Sequence, residues 1–297
     1  MYYSHEIAVE GHVLHALEFN RAATGIPLVF IHGITASLNM WIHGQTPLIA
    51  RERRWYSLSL PGHFPATLPP GHQAYELNAE AVARVMGKAI AQLTGGGPVI
   101  VAGHSTGGFV AVAVAALTDL AVAGVMCISG FAHGRWTGPL GILQGLAHMG
   151  APGKLMFRAG LGLSALTYGG FKQSIASYAV DRAALFAHPA AEVTFADLYR
   201  DFRQLDRDAM HQFFNRMLSI DISTALDRVK APTLVMAGAE DPIVPPEQAR
   251  LIASRISGSQ LELLPGVGHL PMSERGPEYD RIITEWLQAH FPVPGQA

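Results

Sequence analysis

The chain has 297 residues, and 21 Lys and Arg against 23 Asp and Glu leave a net charge of −2. Hydrophobic residues make up 49% and charged residues 15%, which excludes a disordered chain, since disorder needs low hydrophobicity and high net charge. The near-neutral balance supplies no basic excess for a nucleic-acid partner. A single cysteine, Cys127, excludes an intrachain disulfide and a cysteine-based zinc site, and suggests a cytoplasmic setting. The N-terminus, Met1-Tyr2-Tyr3-Ser4-His5-Glu6, lacks the basic and apolar regions of a signal peptide.

In chain order, residues 4–9 and 13–19 alternate weakly around Glu10-Gly11 and predict a hairpin at a sheet edge. Short apolar runs follow at 28–31, 55–60, 99–102, 122–128, 233–237 and 261–264. Continuous runs of this kind fit parallel strands covered on both faces. Between them, 78–93 carries Val82, Val85, Met86, Ala89, Ile90 and Leu93 at the spacing of one helical face, and 277–290 does the same with Tyr279, Ile282, Ile283 and Trp286. Strand–helix alternation predicts an α/β fold with a mostly parallel sheet. The alternation lapses between about Ala132 and Asp227, which predicts a helical insertion over one end of the sheet. The most apolar stretch, 109–126, is broken by Thr118-Asp119 and reads as a buried helix and strand, not a membrane span.

The strongest chemical signal is Gly103-His104-Ser105-Thr106-Gly107, preceded by a strand and followed by an Ala/Val-rich helix. A serine at such a corner adopts a strained backbone that lifts its hydroxyl above the sheet. The flanking glycines avoid collisions with the neighbouring strand and helix. A serine hydroxyl needs a base. His269, in the loop between the last strand and the last helix, is the candidate among 14 histidines. Catalytic groups in open α/β sheets gather beyond the carboxyl ends of strands. The imidazole in turn needs an acid partner. Asp241 follows the 233–237 strand and is preferred to its neighbour Glu240, because Pro242 suits a turn and the shorter side chain a tight approach. The backbone N–H groups of Thr106 and of Ile34, in His32-Gly33-Ile34-Thr35, are the expected donors to an oxyanion, with His32 bracing that loop.

The order Ser105…Asp241…His269, with His32-Gly33 upstream and Leu60-Pro61-Gly62-His63 and Ala231-Pro232-Thr233-Leu234-Val235 as further landmarks, resembles the α/β-hydrolase fold family over nearly the whole chain. The resemblance implies a core of residues 1–131 and 211–297, and a helical cap at 132–210 that shapes the substrate pocket. The chain departs from the family at Ser59, where Asp is usual, and at Phe64, where Gly is usual. Serine at position 105 argues against dehalogenase and epoxide hydrolase chemistry, which use Asp there.

Weaker signals complete the reading. Gly160-Leu161-Gly162-Leu163-Ser164-Ala165 lacks the preceding strand of a dinucleotide site and reads as a glycine-rich turn. Residues 120–180 contain no Asp or Glu but hold Arg135, Lys154, Arg158 and Lys172, a local charge of +4 in an apolar setting. This charge reads either as a solvated rim over an apolar pocket or as a contact for an anionic or amphiphilic substrate or a membrane surface, which makes Arg135 and Arg158 candidate substrate contacts; Trp136 is another, because it begins the insertion. Tyr168 is a further pocket candidate, and Trp41 is expected in the core. His12 and His15, three apart on a strand, face opposite sides and predict no metal site. The expected activity is hydrolysis of a small, largely apolar carboxylic ester without a cofactor. Carbon–carbon bond hydrolysis of a diketone acid, lactone hydrolysis or acyl transfer, and a non-catalytic ligand receptor are the alternatives.

Overall fold

The computed structural model describes residues 2–73 and 76–292. Eight strands form one sheet in the order β1-β2-β4-β3-β5-β6-β7-β8. The edge hairpin pairs β1 (Tyr3–Val9) with β2 (His12–Phe19), and β2 runs antiparallel to β4 (Trp55–Leu58). The remaining neighbours, β4 with β3 (Leu28–Ile31), then β5 (Val99–His104), β6 (Val122–Ile128), β7 (Thr233–Gly238) and β8 (Gln260–Leu264), are parallel. β3, β5 and β7 are buried along their whole length, as expected of strands covered on both faces.

Helices α1 (Pro47–Glu52), α2 (Ala79–Thr94) and α3 (Thr106–Leu117) connect the first strands. The Asn78 carboxamide caps α2 by accepting the Ala81 amide, and Gly95 ends it in the left-handed conformation that suits a residue without a Cβ. α3 is apolar all round because it is buried all round, beneath α2 and against β5 and β6. Together α3 and β6 account for the apolar stretch 109–126; among the described residues no helix is long and apolar enough to cross a membrane.

Between β6 and β7 stand six α-helices, α4 (Gly138–Ala147), α5 (Gly150–Ser164), α6 (Tyr168–Ala176), α7 (Arg182–Ala187), α8 (Ala191–Phe202) and α9 (Arg207–Met217), and a 3-10 turn at Ser223–Arg228. α9 carries the insertion past residue 210. Entry and exit are tied where the Gly134 amide donates to Ile220 and the Ile222 amide to Ala132. The glycine-rich 160–165 piece is not a turn. Gly160 and Gly162 lie inside α5, where a Cβ at Gly162 would meet the Arg207 guanidinium at 2.9 Å. The chain closes with α10 (Glu247–Arg255), the short α11 (Pro271–Glu274) and α12 (Gly276–His290), whose Tyr279, Ile282, Ile283 and Trp286 pack under the sheet.

Candidate active site

Ser105 stands between β5 and α3 with φ 56° and ψ −117°, a conformation that L-residues rarely adopt. Its neighbours hold it there. The Ser105 amide donates to Ile128 at 2.8 Å, and the Ser105 carbonyl accepts the Phe109 amide at 3.0 Å. A Cβ at Gly103 would run into the Gly107 backbone, and one at Gly107 into the Ile31 carbonyl of β3. Both glycines are thus fixed by close approach of strand and helix. Thr106 opens α3, so its N–H has no intrahelical acceptor. The Ile34 N–H likewise bonds to no other group among the described residues.

The Asp241 carboxylate is held at the end of β7. Its Oδ1 accepts the amides of Ile243 and Val244 at 2.8 and 3.0 Å, and its Oδ2 accepts the His269 Nδ1–H at 2.7 Å. Both side chains are shielded from water; Asp241 is 6% and His269 2% exposed. This bond places the imidazole proton on Nδ1 and leaves the Nε2 lone pair free to take a proton. Glu240 points elsewhere and ties the loops together by accepting the Val267 amide. Ser105 and His269 line the same cavity, of about 100 Å³. No hydrogen bond joins them directly, a common state of such pairs before substrate arrives.

Three further groups shape the site without having been singled out in the sequence. His104 donates from Nε2 to the His269 carbonyl at 2.7 Å, and its ring lies 4.7 Å from the His269 ring, centre to centre. Burial drives its pKa down to about 3, so it stays neutral beside the imidazole. Tyr178, in the insertion, accepts the His269 amide through its carbonyl at 2.9 Å. Glu274, 2% exposed, accepts four amides: Gly268 and Leu270, which bracket His269, and Val180 and Asp181 from the insertion. The only local clue is a carboxylate in the first turn of a short helix after the histidine loop. Its donors come from segments some ninety residues apart. We expect Glu274→Ala, which strands these amides, to cost about 3 kcal/mol or more in urea denaturation. Glu274→Gln, which turns an NH2 against at least one of them, should lower kcat more than it alters KM.

A second buried carboxylate secures the other side of the insertion. Asp201 of α8 accepts the Ser37 hydroxyl and the Asn39 amide nitrogen, each at 2.6 Å, just beyond the Ile34 loop. His32 braces that loop. Its Nδ1–H donates to the Gly33 carbonyl at 2.8 Å, and its Nε2 accepts the Leu60 amide at 3.1 Å. Ser59, the departure noted above, accepts the His15 amide and so joins the sheet edge.

The expected substrate contacts Arg135, Trp136 and Arg158 do not line the cavity of Ser105 and His269. Trp136 is buried away from the cavity, edge-on to Phe131 and Phe214. Arg158 lies on the surface with Lys154, both paired to Asp208 of α9, and Arg135 is exposed outside the cavity wall. Lys172 pairs with Glu192, to which the Tyr168 hydroxyl also donates. The positive charge of 120–180 is therefore largely met by carboxylates from later in the chain, and it faces solvent. Trp41 packs on Phe30, as expected of a core residue. The cavity wall itself is apolar, built from side chains such as Ile34, Leu140, Leu143, Leu161, Phe171 and Phe202, and among the described residues no Lys, Arg, Asp or Glu lines it.

Comparison with known proteins agrees with this architecture. The esterase of Thermogutta terrifontis superposes with a TM-score of 0.71 at 22% identity, covering 98% of this chain and 99% of that one. The enol-lactonase of Burkholderia xenovorans LB400 superposes with a TM-score of 0.71 at 18% identity, covering 95% and 99%. At such identities the likeness is one of fold. The dihydrolipoyllysine-residue acetyltransferase component of the acetoin cleaving system of Pseudomonas putida is 28% identical over 287 residues, 90% of this chain. The match spans 64% of that protein's length. Residues 28–281 match the model of the alpha/beta hydrolase family, to which the chain belongs.

Proposed function

We propose that the protein is a serine hydrolase that cleaves a neutral, largely apolar carboxylic ester through an acyl-enzyme on Ser105. The observation that carries this reading is a buried Asp241–His269 pair opening, with Ser105, onto a cavity free of charged side chains among the described residues. Ser105 Oγ attacks the acyl carbon as His269 Nε2 takes the hydroxyl proton. Asp241 holds the imidazole in the required tautomer and stabilises the imidazolium. The N–H groups of Thr106 and Ile34, without partners among the described residues, receive the oxyanion. His269 returns the proton to the leaving alcohol and then activates water to release the acid.

The apolar wall argues against the diketone acid reading, in which a carboxylate would need a cationic partner that neither Arg135 nor Arg158 provides. Incubation with a fluorophosphonate, followed by mass spectrometry, tests the assignment. We expect a single adduct on the peptide containing Ser105 and none in Ser105→Ala. An adduct that survives the substitution would move the nucleophile elsewhere.

A further inference from the structure

Beside the cavity that holds Ser105 and His269 lies a second one, of about 70 Å³. The two share a wall. Met40, Ile175, Leu198 and Leu270 line both. These four side chains come from four separate elements: the turn after β3, α6, α8 and the residue preceding α11. A partition made of single side chains opens by rotamer changes without moving the backbone, and Met, with its unbranched thioether, does so at little cost.

The second cavity is also apolar. Trp41, Leu185, Phe195 and Met272 line it, and among the described residues no Lys, Arg, Asp or Glu does. Burial lowers the pKa of His188, at its margin, below the ordinary imidazole value. Well-packed interiors leave few spaces larger than a water molecule. Here small residues keep the space: Ala190 and Ala191 border it, and a Cβ at Gly44 would meet no atom within 4 Å.

We propose that this cavity is the distal subsite for an unbranched alkyl chain of the ester, entered through the Met40–Leu198 partition. The chain then lies along two apolar chambers in series, with its carbonyl at Ser105 and its far end beside Trp41 and Phe195. The role as an ester subsite rests on the function proposed above; the affinity for an alkyl chain does not. The same chain could belong to the acyl or the alcohol half of the ester, and the substrates distinguish them.

Two filling variants, Thr194→Phe on α8 and Gly44→Leu on the opposite side, and one widening variant, Leu198→Ala, test the subsite. Ratios of kcat/KM are compared for 4-nitrophenyl decanoate over 4-nitrophenyl acetate (acyl chain) and for decyl acetate over ethyl acetate (alcohol chain). Filling should lower one of the two ratios at least tenfold, and widening should raise the same ratio at least threefold. In parallel, calorimetry on Ser105→Ala measures the Kd of 1-decanol against 1-butanol. Filling should weaken decanol relative to butanol at least tenfold, whether or not the parent cleaves any ester. If folded filling variants, checked by thermal melting, keep the decanol-to-butanol ratio within twofold of the parent, the subsite is overturned. If that ratio falls but no ester is cleaved, the subsite stands and the hydrolase reading fails.

Discussion

Ser105→Ala should lower kcat/KM for a preferred ester by about 10⁴-fold or more, and Asp241→Asn by about 10³- to 10⁴-fold. The first change removes the atom that forms the acyl-enzyme. The second acts through a proton. Asp241 Oδ1 is occupied by the Ile243 and Val244 amides, so an asparagine would keep its oxygen there and present its NH2 to His269 Nδ1. Nδ1 would then become the acceptor, the proton would sit on Nε2, and the base facing the cavity would be lost while the loop geometry survived. The double variant should be no slower than Ser105→Ala alone, because residues that act as one unit do not add. Steady-state kinetics on purified, folded variants measures all three. An Asp241→Asn enzyme within tenfold of the parent would show that the carboxylate braces the turn after β7 without serving the imidazole.

These three residues were readable in the sequence as candidates because each sits in a short segment with its own punctuation. Gly103 and Gly107 flank Ser105, Pro242 follows Asp241, and glycines at 266 and 268 precede His269. The strand runs were legible for the same reason, being apolar on both faces and bounded by turn residues. Which way a side chain points across helices is a tertiary property, and there the sequence fell silent. Trp136 looked like a substrate contact because it stands at the start of the insertion, yet aromatic packing on Phe131 and Phe214 claims it. Arg158 looked free because no acid lies between 120 and 180, yet α9 brings Asp208 across fifty residues to meet it. Gly160 and Gly162 suggested a turn, yet both lie inside α5, where neighbouring Leu and Ala residues carry the helix through them. Glu274 escaped notice because its role exists only once the Val180 and Asp181 amides arrive from some ninety residues away to join those of Gly268 and Leu270.

The second large effect concerns acid. Stability should be highest above about pH 7 and fall steeply below about pH 6.5, on the order of 4 kcal/mol per pH unit. Three fully buried histidines carry this. Burial, with smaller help from neighbouring rings, drives His32 and His104 down to about 3, and burial alone drives His63 to about 4, from an ordinary 6.5. In the unfolded chain all three take a proton as the pH passes 6.5. In the folded chain they cannot until the pH reaches 4 to 3, so over that window the unfolded state binds more protons and gains. Each group contributes about 1.4 kcal/mol per pH unit. The carboxylates held low by cationic partners, Glu10 beside Arg84 and Lys88 and Asp208 beside Lys154, add to the loss only below their ordinary range, with the same sign. Because domains hold only about 5–15 kcal/mol, unfolding should come within a few pH units of neutrality, near pH 4 to 5. Urea titrations at half-unit steps from pH 8 to 4 read the slope. His63→Asn, whose amide replaces the Nδ1–H bond to the Pro61 carbonyl, should reduce it by about one third. A stability unchanged between pH 7 and 5 would mean that these rings take protons in the folded state, and hence that water reaches them.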